Sequence, residues 1–146
     1  MIPAKISLVT VAAYHVPKLR EFYLSLGWAE TEISSDNYAV FRTSGVLLSI
    51  FPIEEALREA GLEPTQQDRT PPIFKGVTLS INVENPEQVD YILQEVEKHG
   101  GRTINKPKDA SWGGRIGHFM DPENNLWEVA WNPTATFNEY GAMISF

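Results

Sequence analysis

The chain has 146 residues, with 19 acidic against 12 basic side chains, a formal net charge of −7 and no cysteine. That length suits one domain or two small fused halves, and the 42% apolar content, with sixteen aromatic residues (four Trp, seven Phe, five Tyr), suffices for a real core. The acidic balance, without a Lys/Arg cluster, argues against a nucleic-acid surface; the missing cysteines exclude a disulfide, a thiolate nucleophile and a cysteine metal site. No run of eighteen apolar residues exists, so no membrane span is expected. The N-terminus, Met1-Ile2-Pro3-Ala4-Lys5, shows no charged region leading into an apolar stretch. A cytoplasmic protein is the resulting expectation.

In chain order, Lys5–Val11 reads as a short strand. A helix begins near Pro17, since proline suits the first helical turn, and Leu19, Phe22, Tyr23 and Leu26 give it one apolar stripe before Gly27 ends it. Trp28–Ile33, Tyr38–Thr43 and Val46–Phe51 read as three further strands. Glu54–Ala60 is a short helical segment closed by Gly61. Leu62–Pro72, with three prolines and a polar run, predicts a linker or a flap over a site.

Gly76–Val83 alternates cleanly, placing Val77, Leu79, Ile81 and Val83 on one face and Thr78, Ser80 and Asn82 on the other. A second helix starts at Asn85-Pro86-Glu87, carries the stripe Val89, Ile92, Leu93, Val96, and stops at Gly100-Gly101. Arg102–Asn105 predicts a short strand. His15 and His99 lie at helix ends and read as capping or surface residues.

The stretch Ser111–Pro133 carries the most chemistry. Arg115–Met120 and Leu126–Trp131 flank the turn cluster Asp121-Pro122-Glu123-Asn124-Asn125, a β-hairpin signal. Symmetric closure pairs Asp121 with Asn125, hence His118 with Glu128 and Ile116 with Ala130. Trp127, Val129 and Trp131 then form an apolar wall on the opposite face. Gly113-Gly114 is too short for a phosphate-cradling loop, and no G-x-S-x-G elbow is present.

An internal repeat organises these elements. The second helix stripe falls on the first at an offset of 70, and so do the preceding strands, Val9 on Leu79 and Val11 on Ile81. The expected fold is α+β: two tandem βαβββ modules forming a curved mixed sheet around a cleft, with helices on the outer face. The expected divisions are a first module at 1–60, a linker at 61–72, a second module at 73–133 and a tail at 134–146. Phe137, Tyr140, Met143, Ile144 and Phe146 of the tail are expected to pack on a sheet edge or a second subunit.

Paired modules ending in H-F-M-D-P-E-N-N-L-W-E-V-A-W-N-P, together with F-Y-L-S-L-G-W at Phe22–Trp28, resemble the vicinal oxygen chelate superfamily. It includes glyoxalase I, extradiol dioxygenases, fosfomycin-resistance enzymes and bleomycin-resistance proteins; the chain looks closest to uncharacterised bacterial glyoxalase-like members. The resemblance implies metal ligands on the first and fourth strand of each module. These positions fall on Leu8, Leu47 or Leu48, Thr78 and Glu128, of which only Glu128 can ligate in the usual way. A divalent site wants three or more His or carboxylate ligands, so no tightly bound metal and no cofactor is expected.

Three functions follow from the resemblance. The first is sequestration of a small molecule, with Trp112 as ligand contact, Phe119 as a further stacking candidate, and Thr78, Ser80, Asn82, Leu8 and Ile116 lining the site. The second is a metal-independent lyase or isomerase with Glu128 as base and His118 orienting it or shuttling the proton. The third is a divergent metal-dependent glyoxalase or dioxygenase. A small-molecule partner and a homodimer are expected, without nucleic-acid or membrane partners.

Overall fold

The computed structural model describes all residues, Met1–Phe146, which divide into two compact units, Met1–Pro71 and Pro72–Phe146. The architecture is α+β, with three α-helices and mixed sheets.

In the first unit, β1 (Leu8–Ala13) leads into α1 (Val16–Ser25), followed by β2 (Ala39–Phe41), β3 (Leu47–Pro52), α2 (Ile53–Glu59) and a 3-10 turn at Gln66–Arg69. The sheet order is β1-β3-β2, with β1 parallel to β3 and β2 antiparallel to it. His15 caps α1, its Nδ1 accepting from the Lys18 amide at 3.2 Å. Leu19, Phe22 and Tyr23 of the expected helical face are buried, as is Val16, while Leu26, the fourth residue of that face, sits half-buried at the C-cap. Tyr23 gathers Phe22, Trp28 and Phe41 around it, with ring centroids 5.1, 5.1 and 5.6 Å away.

The strand expected at Trp28–Ile33 is reduced to one bridge, Glu30↔Phe41. The cause is local. Ser34 turns back, and its Oγ accepts the Val40 amide at 3.0 Å, supplying from a side chain what a longer ladder would supply from backbone. The polar run expected as a linker holds the 3-10 turn, whose Thr65 and Asp68 cap one another: Asp68 Oδ2 accepts from the Thr65 amide at 2.7 Å.

In the second unit, β4 (Thr78–Val83), α3 (Glu87–Lys98), β5 (Arg102–Asp109), β6 (Arg115–Met120) and β7 (Leu126–Trp131) build a sheet of order β4-β7-β6-β5. β4 and β7 are parallel; the other neighbours are antiparallel. At the start of α3, the Asn85 side chain accepts the Gln88 amide, and Gln88 Oε1 accepts the Glu84 and Asn85 amides. Val89, Leu93 and Val96 are buried against the sheet. Gly117 of β6 admits that approach: a Cβ there would collide with Leu93 Cδ1 and lie 3.1 Å from the Asn105 carbonyl oxygen. β5 runs four residues past the expected end. Pro107 is accommodated because β5 is an edge strand.

The tail forms a two-stranded hairpin, β8 (Thr136–Phe137) with β9 (Met143–Ser145). Tyr140, Ile144 and Phe146 remain exposed on it.

Candidate functional site

The β6–β7 hairpin closes in the symmetric register, with His118 opposite Glu128 and Ile116 opposite Ala130. Its turn is a buried polar knot. Asp121 Oδ1 accepts the amides of Glu123 at 2.9 Å and Asn125 at 3.0 Å, and Oδ2 accepts from Asn125 Nδ2 at 2.7 Å. Asn124 takes the left-handed conformation that closes the loop, at φ 62°. Lys75 Nζ donates to Asn125 Oδ1 at 3.2 Å. Burial pushes the Lys75 ammonium below its ordinary pKa, and the Asp121 and Glu123 charges pull it back up. These residues fix the register; they hold the hairpin rather than line its open face.

The sheet has two unlike faces. Toward α3, Phe119 stacks on Trp127 at 6.0 Å, both buried. Phe119 is therefore a core residue and not a surface on which a ligand stacks. On the other face, one polar side chain from each strand meets its neighbour in a row. Ser80 Oγ of β4 donates to Glu128 Oε1 of β7 at 3.3 Å. Glu128 Oε2 lies 3.5 Å from His118 Nε2 of β6. His118 Nδ1 lies 3.4 Å from Asn105 Nδ2 of β5. Glu128 and His118 are partly enclosed, with 29% and 24% of their side chains exposed.

Strand parity puts Thr78, Asn82 and Ile116 on this same face, beside the row. Trp112 sits in the β5–β6 turn, half exposed, its ring filling the space that a Cβ on Gly114 would need. Leu8 belongs to the first unit, where it pairs with Leu47 on β1 and β3, both exposed. Asn105 was not singled out from the sequence. Its strand alternation places Ile104, not Asn105, in step with His118, and only a bulge changes that.

The matched ladders revise one alignment. Leu8↔Leu47 and Thr78↔Leu126 open the two parallel ladders, so Ser80↔Glu128 corresponds to Thr10↔Ser49. The counterpart of Glu128 is Ser49, not Leu47 or Leu48. Leu48 is buried in the core, and the stretch from the helix to the last strand is longer in the second unit, so the offset between the halves changes along the chain. Ser49 is buried and hydrogen-bonded to Thr10 at 2.7 Å.

With this fold and face established, the family can be stated. Residues 5–129 match the model of the Glyoxalase/Bleomycin resistance protein/Dioxygenase superfamily, and the chain belongs to that family. It is 32% identical over 120 residues to the uncharacterized protein YraH of Bacillus subtilis strain 168, covering 75% of this chain and 84% of that protein. Its fold is similar to that of a glyoxalase-related enzyme from Fulvimarina pelagi, with TM-score 0.86, 19% identity and coverage of 98% of this chain and 99% of the other. A glyoxalase/bleomycin resistance protein/dioxygenase from Nocardioides matches with TM-score 0.74 at 19% identity, over 90% and 85% of the two chains. No helix is long and apolar enough to cross a membrane.

A divalent metal of the kind many family members use does not fit these residues. Each unit's parallel ladder carries its own pair at that place, Thr10 with Ser49 in the first and Ser80 with Glu128 in the second, and only Glu128 is a carboxylate. The Thr10 and Ser49 hydroxyls are engaged with each other. No three His, Asp or Glu side chains converge on one point. Borderline divalent ions prefer imidazole and carboxylate donors, three or more at once.

Proposed function

We propose that the protein binds a small molecule on the open face of the β4-β7-β6-β5 sheet, without a tightly held metal, and that a protonated amine of the ligand meets Glu128. One contrast supports this reading. Three comparably enclosed carboxylates are each paired with a fixed cation: Glu30 with Arg20 at 2.7 and 2.8 Å, Asp90 with Arg115 at 2.6 and 2.8 Å, and Glu95 with Lys98 at 2.6 Å. Glu128 is as enclosed as Glu30, yet its hydrogen bond comes from a serine hydroxyl and its other neighbour is an imidazole at 3.5 Å. Each of its oxygens keeps acceptor capacity. A carboxylate in a reduced dielectric, without an arginine or lysine of its own chain beside it, attracts a cation from a ligand. Thr78, Asn82 and Ile116 would orient the rest of the molecule.

The test is a chemical-shift titration with benzylamine against benzoate. Wild-type protein is expected to bind the amine in preference, and Glu128→Gln to lose at least tenfold in affinity. Equal binding by Glu128→Gln overturns the reading. Metal analysis of protein purified without added metal is expected to give a substoichiometric content; a full equivalent overturns the metal-free part.

A second reading rests on the 3.5 Å approach of His118 to Glu128. In a metal-independent lyase or isomerase, Glu128 would take a proton from substrate and His118 would relay it. Loss of turnover with retained binding in Glu128→Gln distinguishes this from sequestration. The exposed apolar tail residues support a homodimer, as is common in the superfamily; light scattering after gel filtration tests it.

A further inference from the structure

β5 is out of step with β6 twice, between Thr103 and Asn105 and again between Asn105 and Lys108. An unbroken register from Arg102↔Met120 and Thr103↔Phe119 would bring Ile104 opposite His118. The first bulge instead leaves Ile104 half exposed and delivers Asn105 to the imidazole. Bulges beside functional sites commonly re-aim a side chain in this way.

We propose that Asn105 is a positioning residue that locks His118 in the tautomer carrying its proton on Nε2, so that the ring donates to Glu128. The geometry asks for this tautomer from both sides. An amide nitrogen can only donate, so Nδ1, 3.4 Å from Asn105 Nδ2, must accept. A carboxylate can only accept, so Nε2, 3.5 Å from Glu128 Oε2, must donate. Glu128 is the charged group in contact with the ring; Arg102 and Lys108 of β5 pair with Met120 and Ile116 on either side of it.

The inference builds on the reading of Glu128 as the ligand's anchor. With the Nε2–H tautomer fixed, the carboxylate faces two donors, Ser80 Oγ on one oxygen and, 3.5 Å away, His118 Nε2 on the other. Both oxygens are then oriented before a ligand arrives, which lowers the ordering cost of binding. The opposite tautomer would turn a lone pair toward the carboxylate and set the two acceptors against each other.

The test reads the ring directly, by long-range proton–nitrogen correlation spectra of ligand-free protein at alkaline pH, where the imidazole carries one proton. The expected result is a single Nε2–H tautomer for His118 in the wild-type protein and a mixed population in Asn105→Leu. An Nδ1–H tautomer in the wild type overturns the proposal, with no variant required. So does an unchanged tautomer in Asn105→Leu; should that variant not fold, Asn105→Val, β-branched and without a donor, replaces it under the same criterion. Because no ligand is present, failure here is separate from failure of amine binding.

Discussion

Arg20 and Asp90 stand at the same position of their helices, 70 residues apart, and each ties its helix down by an ion pair of opposite polarity. Arg20 of α1 grips Glu30 in a two-point pair and also reaches Asp36 at 3.1 Å. Asp90 of α3 receives a two-point pair from Arg115 of β6, which also reaches Asp109 at 2.9 Å. The helix end of the tether keeps its place between the two units, while the charges are exchanged and the partner comes from a different segment.

This tether sets an acid response. Hydrogen bonds from Arg115 hold the Asp90 carboxyl below its ordinary value of 3.8, and those from Arg20 hold Glu30 below 4.5. Both pKa values are depressed in the folded protein. Their contribution is therefore complete above the ordinary values and is lost as pH falls through the depressed ones. Asp90→Asn should flatten the fall of Tm below pH 4 and cost about 0.5–1 kcal/mol at pH 7, the modest figure reflecting solvent screening of a partly exposed pair. Thermal unfolding followed from pH 7 to pH 2 checks both.

Gly117→Ala should destabilise the second unit by about 1–3 kcal/mol, through overpacking against Leu93 and the Asn105 carbonyl. Leu93→Ala alone should cost about 2–5 kcal/mol by leaving a cavity. The double variant should cost less than the sum, because the shortened side chain vacates the space that the new methyl group enters. Urea unfolding of the three variants gives the coupling.

Asp121→Ala should cost about 2–3 kcal/mol, since it strands buried donors that the carboxylate now satisfies. Asn124→Gly should be close to neutral, whereas Asn124→Val should cost about 1–2 kcal/mol at its left-handed backbone. Equal stability of the glycine and valine variants in urea would contradict this account of the turn.

Glu128→Gln should shift stability by no more than about 0.5 kcal/mol. Glutamine keeps an acceptor for Ser80 and the same volume, so a large loss of Tm would mark Glu128 as a structural residue instead of a ligand-facing one.

The hairpin register was legible in the sequence because Asp121 and Asn125 are the natural ends of a five-residue turn, and everything from His118 to Ala130 follows by counting. The helix faces were legible from spacing: Leu19, Phe22 and Tyr23, then Val89, Leu93 and Val96, are buried, while Leu26 and Ile92 at the margins of their stripes are half-buried. Trp28–Ile33 was misread because Ser34 competes for the Val40 amide, a side-chain choice that strand composition does not reveal. Ser49 was missed because unequal connections defeat a constant offset. Asn105 was missed for a related reason: periodicity assumes every residue advances the ladder, and a bulge suspends that rule.

The slip at β5 gives the open face an unusual vulnerability. Were the ladder to run evenly from Thr103, with no residue looped out, Ile104 would stand against the imidazole although no side chain had been exchanged. Here polarity is written in how many residues the edge contains as much as in which ones, so insertions and deletions can remodel recognition where point changes leave it alone.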